Sequence, residues 1–309
     1  MAPIDRQQSI CELTSSAAFL NGLDGMEHPI VSVLLVTYNQ APFMAQALDS
    51  ILMQVTDFEF EILVLDDASS DGTRDIVSRY AERNPGKFRL AFNEINLGFS
   101  AAAYLQEWRV RQSAIGTYVA LIEGDDYWID PRKLQKQVDF LDRNPEFTLC
   151  AHDYIVRNEW IGREFAMHQL AEDLTMSMPQ LLEGCQFHTS SLMYRNGAVR
   201  DWPADFIEMG CADWGLHILL AECGAVRLLA EAMSVYRVHS AGAWSGKFVV
   251  PSHKPNPDTN AEGLKIVISF LELINRHLNY EYDAHIRALI ASKQAQVIIL
   301  EGGSAESYN

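Results

Sequence analysis

Three short polar clusters carry residue types suited to chemistry: Thr37-Tyr38-Asn39, Asp66-Asp67 and Asp125-Asp126. Each follows closely on an apolar run: VSVLLV at 31–36, EILVL at 61–65 and YVALI at 118–122. Carboxylates gathered on one rim raise one another's pKa or require a cation. A hard divalent ion held by oxygen ligands is the natural relief, and such an ion also bridges a diphosphate. A plainer reading stands beside this one for any single cluster: it supplies a turn, or it caps the next helix. Three clusters in register after successive strands favour a shared site.

The surrounding pattern says how such a rim would be built. Val31–Thr37, rich in β-branched residues, reads as a strand buried on both faces. Pro42 opens a helix to about Gln54, with Phe43, Ala47, Leu48, Ile51 and Leu52 on one side. Glu61–Leu65 is a second strand, and Asp71 is placed to cap a helix over Thr73–Arg83. Phe88–Phe92 and Tyr118–Ile122 give two more strands, with a helix over about Ser100–Ser113 between them. Asp130 and Pro131 then start a helix whose Leu134, Val138 and Leu141 share a face. Strands alternating with helices predict an α/β fold, a mostly parallel Rossmann-like sheet flanked by helices. In that architecture ligands collect beyond the C-terminal ends of the strands.

The organisation expected is an N-terminal extension over 1–28, a main domain over 29–250 and a C-terminal helical region over 251–309. Within the main domain, 29–150 would form the nucleotide-binding half and 151–250 the acceptor-binding half. A strand is expected at about 149–158, a short helix around Ser9–Leu20, a loop over Pro251–Asp258, and closing helices at about Glu262–Leu278 and Tyr282–Leu300. The 309 residues carry 24 Lys+Arg against 41 Asp+Glu, a formal charge of −17. That field repels nucleic acid and anionic lipid headgroups, so neither is a general partner. Cys11, Cys150, Cys185, Cys211 and Cys223 are scattered and odd in number, which fits a reducing cytoplasm better than a disulfide framework. No run approaches the ~18 apolar residues of a membrane span.

The motifs LVTYN at 35–39, LDDASSDGT at 65–73 and EGDDYW at 123–128 resemble, in order and spacing, the N-terminal half of family-2 inverting glycosyltransferases of the GT-A fold. The resemblance is strong from about 30 to 150, weaker to about 246, and absent from 1–28 and beyond 250. It implies transfer of a sugar from a nucleotide diphosphate-sugar, with UDP expected, to a saccharide or lipid-linked acceptor of the bacterial surface-glycan kind. It also implies that Thr37, Tyr38, Asn39, Asp67 and Asn96 serve the nucleotide. Asp126 would ligate Mn²⁺ or Mg²⁺ and Asp125 would lie near the ribose or donor sugar. For Asp66 the alternative of merely shaping the turn stays open.

In the second half, Gly210-Cys211-Ala212-Asp213-Trp214 is similar to the family's base-bearing segment, with Ala212 where relatives carry Glu and Asp213 as the base. Trp214 offers a sugar-stacking face or simply packs. Phe187–Arg195 resembles the strand beneath the acceptor cleft, with His188 and Thr189 as sugar contacts. Tyr236-Arg237-Val238-His239-Ser240, with Gly242, Trp244 and Ser245, resembles the donor-closing loop. There His239 would complete a metal shell or touch the diphosphate, and Arg237 would add charge beside the diphosphate. One departure stands out: Asn96-Leu97-Gly98 is followed by Ser100-Ala101-Ala102-Ala103, without the basic residue many relatives have. Arg109 and Arg111, farther along the same helix, read as surface charges.

Two other classes are weighed. A nicotinamide dehydrogenase would need G-x-G-x-x-G where TYNQAP stands, which excludes it. An aspartyl-phosphate transferase would leave Thr37-Tyr38-Asn39 unexplained. A binding module that kept the fold and lost activity remains the alternative, on the strength of Ala212 and the missing basic residue. A peripheral contact with the inner membrane face and a homodimer are further expectations.

Overall fold

The computed structural model describes residues 28–98, 100–203, 205–206, 212–240, 242 and 261–301. The expected helix near Ser9–Leu20, the Pro251–Asp258 loop, Gly210, Cys211, Trp244 and Ser245 lie outside them.

Four parallel strands form the first half of one sheet: β1 (Val31–Thr37), β2 (Phe60–Asp66), β3 (Phe88–Phe92) and β4 (Tyr118–Glu123). Helices α1 (Ala41–Leu52), α2 (Thr73–Arg83) and α3 (Ala101–Gln112) make the crossovers. The chain continues through β5 (Tyr127–Trp128), α4 (Lys133–Arg143), β6 (Phe147–Asn158), β7 (Arg163–Ala166), β8 (Leu174–Met176), α5 (Met178–Leu182) and β9 (Met193–Arg195). After them come α6 (Ala212–Cys223), β10 (Ala225–Val238), α7 (Ala261–His277) and α8 (Asp283–Leu300).

Across the sheet the order is β3-β2-β1-β4-β9-β6-β10-β5, with β7 on β6 and β8 on β10. The sheet is more mixed than the first half of the sequence suggests. Strand β9 runs antiparallel to both β4 and β6, which join only through it, and β5 and β8 are antiparallel to β10. Strand β9 is the end of the Phe187–Arg195 segment expected as a strand, and Thr189–Ser191 before it forms a 3-10 turn.

Successive side chains of a strand point to opposite faces, and the core divides accordingly. Val33, Leu35, Ile62, Val64, Ala120 and Ile122 pack with Met44, Leu48 and Ile51 of α1 and Leu134, Val138 and Leu141 of α4. Leu34, Leu63, Leu65, Val119 and Leu121 join Trp214, Leu216 and Leu220 of α6 and Phe270, Leu271 and Ile274 of α7 on the other face. The C-terminal helices therefore share the core of the sheet.

Register places the polar clusters together. Thr37 lies opposite Asp66 across β1 and β2, and Val36 opposite Glu123 across β1 and β4. Two backbone bonds tie the loops beyond: the Asp67 amide donates to the Thr37 carbonyl and the Gly124 amide to the Val36 carbonyl, both at 3.0 Å.

Candidate active site

The first loop pair is bound by its own polar side chains. Asn39, at a positive φ of 51°, accepts from the Ser70 amide, while its amide donates to Ser69 Oγ. Asp71 accepts from the Thr73 amide and hydroxyl with one oxygen and from the Ala41 amide with the other, so it serves the starts of both α2 and α1. Asp66 is fully buried and takes the Ser69 amide and Arg74 Nε, the turn-shaping geometry left open for it above. Asp67 gathers Asn93 Nδ2, Asn96 Nδ2 and the Leu97 and Gly98 amides onto its carboxylate, and so shapes the loop after β3. Thr37 is buried and donates to Gln40 Oε1 at 2.8 Å, whereas Tyr38 is exposed.

The turn after β4 concentrates three acids. Glu123 ends the strand, and Asp125 and Asp126 are buried just beyond it. Gly124 permits this turn: a Cβ there would lie 2.5 Å from Gln40 Oε1 and Met44 Cε and 2.7 Å from Thr37 Oγ1. The Arg237 amide donates to Asp126 Oδ1 at 2.9 Å, and the Arg237 guanidinium bonds the Asp125 carbonyl and Gln46 Oε1. That guanidinium is buried between the rings of Phe43 and Tyr127, 4.9 and 4.5 Å from their centroids. The positive charge expected beside a diphosphate thus clamps the acidic turn.

His239 Nε2 sits 3.0 Å from Asp125 Oδ2. His188 is the ring beside Asp126, with Nδ1 3.3 Å from Oδ2 and 2.9 Å from Ser190 Oγ. It stacks on Tyr236 at a centroid distance of 4.0 Å. Burial pushes His188 down to about 4, so the ring is neutral at pH 7. Burial raises Asp126 well above the usual carboxylate range, with Asp125 and Glu123 adding to it. Glu123 is raised likewise by burial first, then by Asp125 and Asp213.

Whether these residues suit a cation can be judged from their oxygens. Asp125 Oδ1 and Asp126 Oδ2 are buried and lack a hydrogen-bond partner. Ligand atoms of Glu123, Asp126 and His188 all fall within 4.8 Å of one another. Acids that resist ionising together, with one buried oxygen on each aspartate lacking a donor, fit a divalent ion. Sequence reading missed Glu123, although its place in EGDD was a signal.

Asp213 lies in the first turn of α6, half-buried, and accepts from Thr189 Oγ1 at 3.3 Å. Burial and the nearby Glu107 carboxylate push it up to about 6, with Arg111 and Thr189 pulling the other way. One expectation is corrected at this point, and of two alternatives for Trp214 the structure favours packing. Arg111 is only 4% exposed and paired with Glu107, so it is an interior residue facing Asp213 across α3 and α6. Trp214 is also in the core, its Nε1 donating to the Leu181 carbonyl and its ring 5.1 Å from that of Phe270. The Trp214 face is spent on α7 and cannot stack on a sugar.

The fold and this acidic rim define a class, the GT-A glycosyltransferases, and comparison with known proteins agrees. The profile of the family described as Glycosyl transferase family 2 matches residues 32–198. The uncharacterized protein Rv1520 of Mycobacterium tuberculosis is 35% identical over 253 residues, covering 81% of this chain and 70% of that protein. An uncharacterized glycosyltransferase of Nostoc, alr2836, is 29% identical over 224 residues, covering 68% of this chain and 65% of its own. Among solved structures, Staphylococcus aureus TarS 1–349 in complex with UDP superposes with TM-score 0.57 at 20% identity, covering 87% of this chain and 72% of that one. The mannosyltransferase PcManGT of Pyrobaculum calidifontis, in complex with GDP-Man and Mn²⁺, gives 0.59 at 18% identity, covering 98% and 83%. The chain belongs to glycosyl transferase family 2 and is a glycosyltransferase. No described helix is long and apolar enough to cross a membrane.

Proposed function

We propose that the chain is an inverting glycosyltransferase that takes a sugar from a UDP-sugar, with a divalent cation at the acidic turn and Asp213 as base. The observation that carries this is the pair of orphaned, buried oxygens on Asp125 and Asp126, set on the same rim as the polar loops after β1 and β2. Similar structures holding UDP, UDP-GlcNAc, or GDP-Man with Mn²⁺ support the donor class.

Asp126, with Glu123 and His188, would hold Mn²⁺ or Mg²⁺; His239 would act through Asp125. When bound, the cation supplies a Lewis acid for the phosphate oxygens and the charge of the leaving diphosphate. The remaining work falls to the chain. Thr37, Tyr38, Asn39 and Asn96 would position the nucleoside, and Asp67, its carboxylate filled by Asn93, Asn96 and the Leu97 and Gly98 amides, would hold the loop after β3 in shape for it. Asp213 would take the proton from the acceptor hydroxyl as its oxygen bonds to the anomeric carbon and the bond to diphosphate breaks. Thr189 holds that carboxyl in place, and an acid tuned to about 6 is ionised at pH 7 yet still basic enough to help. The acceptor we assign is a saccharide, free or lipid-linked.

Calorimetry of UDP with and without Mn²⁺ tests the donor side. Wild type should bind UDP at least ten-fold more tightly with Mn²⁺, Asp126→Ala should lose that gain, and Asp213→Asn should keep it. Equal affinity with and without the cation would sink the assignment. Sugar release to water from UDP-sugars separates an enzyme from a binding module that has lost activity.

A further inference from the structure

Two adjacent residues join the two acidic centres of the site. His188 lies against Asp126, its Nδ1 3.3 Å from Oδ2, and Thr189 donates to Asp213 Oδ2 at 3.3 Å. One step of the backbone therefore spans from the acidic turn to the base. That step enters the 3-10 turn Thr189–Ser191, which closes through the Ser191 amide and hydroxyl, both donating to the His188 carbonyl, at 2.9 and 2.7 Å. A 3-10 turn this short has too few internal bonds to fix its own place. What holds it from outside decides where His188 and Thr189 stand.

Two buried side chains take successive carbonyls of this turn. Gln137 of α4 is fully buried, and its Nε2 donates to the Ser191 carbonyl at 3.0 Å and to the Cys150 carbonyl of β6 at 2.7 Å. Trp128 of β5 donates from Nε1 to the Ser190 carbonyl at 2.9 Å. The orientation of the Gln137 amide follows from its partners, since only the NH₂ end can meet two carbonyls. The other end, Oε1, is buried and accepts no hydrogen bond. An apolar side chain would fill this place without leaving an oxygen unmatched. Nor is Gln137 needed to seat α4, because Leu134, Val138 and Leu141 already anchor that helix in the core. What the glutamine adds, and an apolar residue could not, is a tie from the turn to β6.

We propose that Gln137 is a positioning residue for glycosyl transfer: by tying the Ser191 carbonyl to the frame of α4 and β6, with Trp128 on the preceding carbonyl, it sets His188 against the acidic turn and Thr189 against Asp213. The assignment rests on the reading of the site given above and names what keeps its two acidic centres in register.

The decisive variant is Gln137→Met, which keeps the length and apolar body of the side chain and deletes both donors. Gln135→Met is the control: Gln135 is buried on the same helix, but it accepts from the Asp57 amide at 2.9 Å and donates to Asp139 at 2.8 Å, neither of them in the turn. The first readout needs neither metal nor substrate. It is the imidazole ¹H–¹⁵N spectrum of His188 in the intact chain, assigned through His188→Gln. The His188 signals should shift in Gln137→Met and in Trp128→Phe, which deletes the other tie, and stay in place in Gln135→Met. The second readout is sugar release from a UDP-sugar with Mn²⁺. In Gln137→Met kcat should fall about ten-fold or more, and the Mn²⁺ needed for half-maximal rate should rise about three-fold or more, while KM for the UDP-sugar at saturating Mn²⁺ stays within about three-fold. Gln135→Met should leave all three within about two-fold, whatever its melting temperature. The proposal is overturned if the His188 signals of Gln137→Met coincide with those of wild type, or if kcat in the two glutamine variants simply follows their loss of melting temperature. Should Gln137→Met not fold, Trp128→Phe carries the same two readouts. A wild type that releases no sugar from any UDP-sugar would instead strike the donor reading, and the histidine signals would still decide whether Gln137 places the turn.

Discussion

Asp213 and Asp126 are acids that the fold makes reluctant to ionise, both first of all by burial. At Asp126 the neighbouring Asp125 and Glu123 add to it and a cation would relieve all three, whereas Asp213 is raised to about 6 by burial and Glu107, with Arg111 in partial opposition. The consequence for stability follows from proton linkage. The folded Asp213 holds its proton more tightly than the ~3.9 of an unfolded aspartate, so ionising it weakens the fold as pH rises through about 6. Asp213→Asn should therefore raise the melting temperature at pH 8 and leave it nearly unchanged at pH 4. The gain is at most about 3 kcal/mol, and less because the side chain keeps some contact with water. The same substitution should cut transfer by about 10²–10⁴-fold. Full transfer in Asp213→Asn, or a loss of stability at pH 8, would remove Asp213 as a buried base.

The acidic turn is an element whose shape depends on one absent side chain. Gly124 has Gln40 Oε1, Met44 Cε and Thr37 Oγ1 within 2.7 Å of the place of its Cβ, so three side chains must shift to admit a methyl group. Gly124→Ala should cost about 1–3 kcal/mol in urea unfolding through overpacking. It should also weaken Mn²⁺-dependent UDP binding, because Asp125 and Asp126 move with the turn. Gly184→Ala is the control, since nothing lies within 4 Å of its Cβ position and the effect should be near zero. The two substitutions behaving alike would show that the turn has slack.

At the level of the molecule, α7 and α8 are tied to the chemistry by packing. Phe270 of α7 lies 5.1 Å from Trp214 and 5.5 Å from Phe206, ring to ring, and its Cζ is 3.6 Å from the Cβ position of Gly215 in α6. The helix that carries Asp213 thus rests on a helix about fifty residues later in the chain. Phe270→Ala should destabilise by about 3–5 kcal/mol. In what remains folded, transfer should fall more than Mn²⁺-dependent UDP binding, because Asp213 rides on α6 itself whereas the acidic turn hangs on β4 and is clamped by Arg237 of β10. An equal fall in both would mean that the two halves respond as one unit.

Much of this could be read from local pattern. The four parallel strands were visible because a strand covered on both faces must be apolar at every position. The rim followed because Thr37, Asp66-Asp67 and Glu123–Asp126 stand at the ends of those runs, and parallel strands end on the same side. Pro42 and Asp71 marked helix starts through backbone chemistry confined to a few residues. Other features depended on partners far away in sequence. Trp214 reads equally well as a sugar platform or a core residue until α7 covers it, and Glu107 with Arg111 has the spacing of an exposed ion pair until α6 closes over it. Which histidine meets which aspartate was decided by the end of β10 and the 188–191 turn packing side by side against the Asp125–Asp126 turn. Residue type and spacing determine which groups have the chemistry, since those depend on covalent structure and local geometry. Burial, and with it proton affinity and pairing, is set only when segments distant in the chain exclude water from the same place.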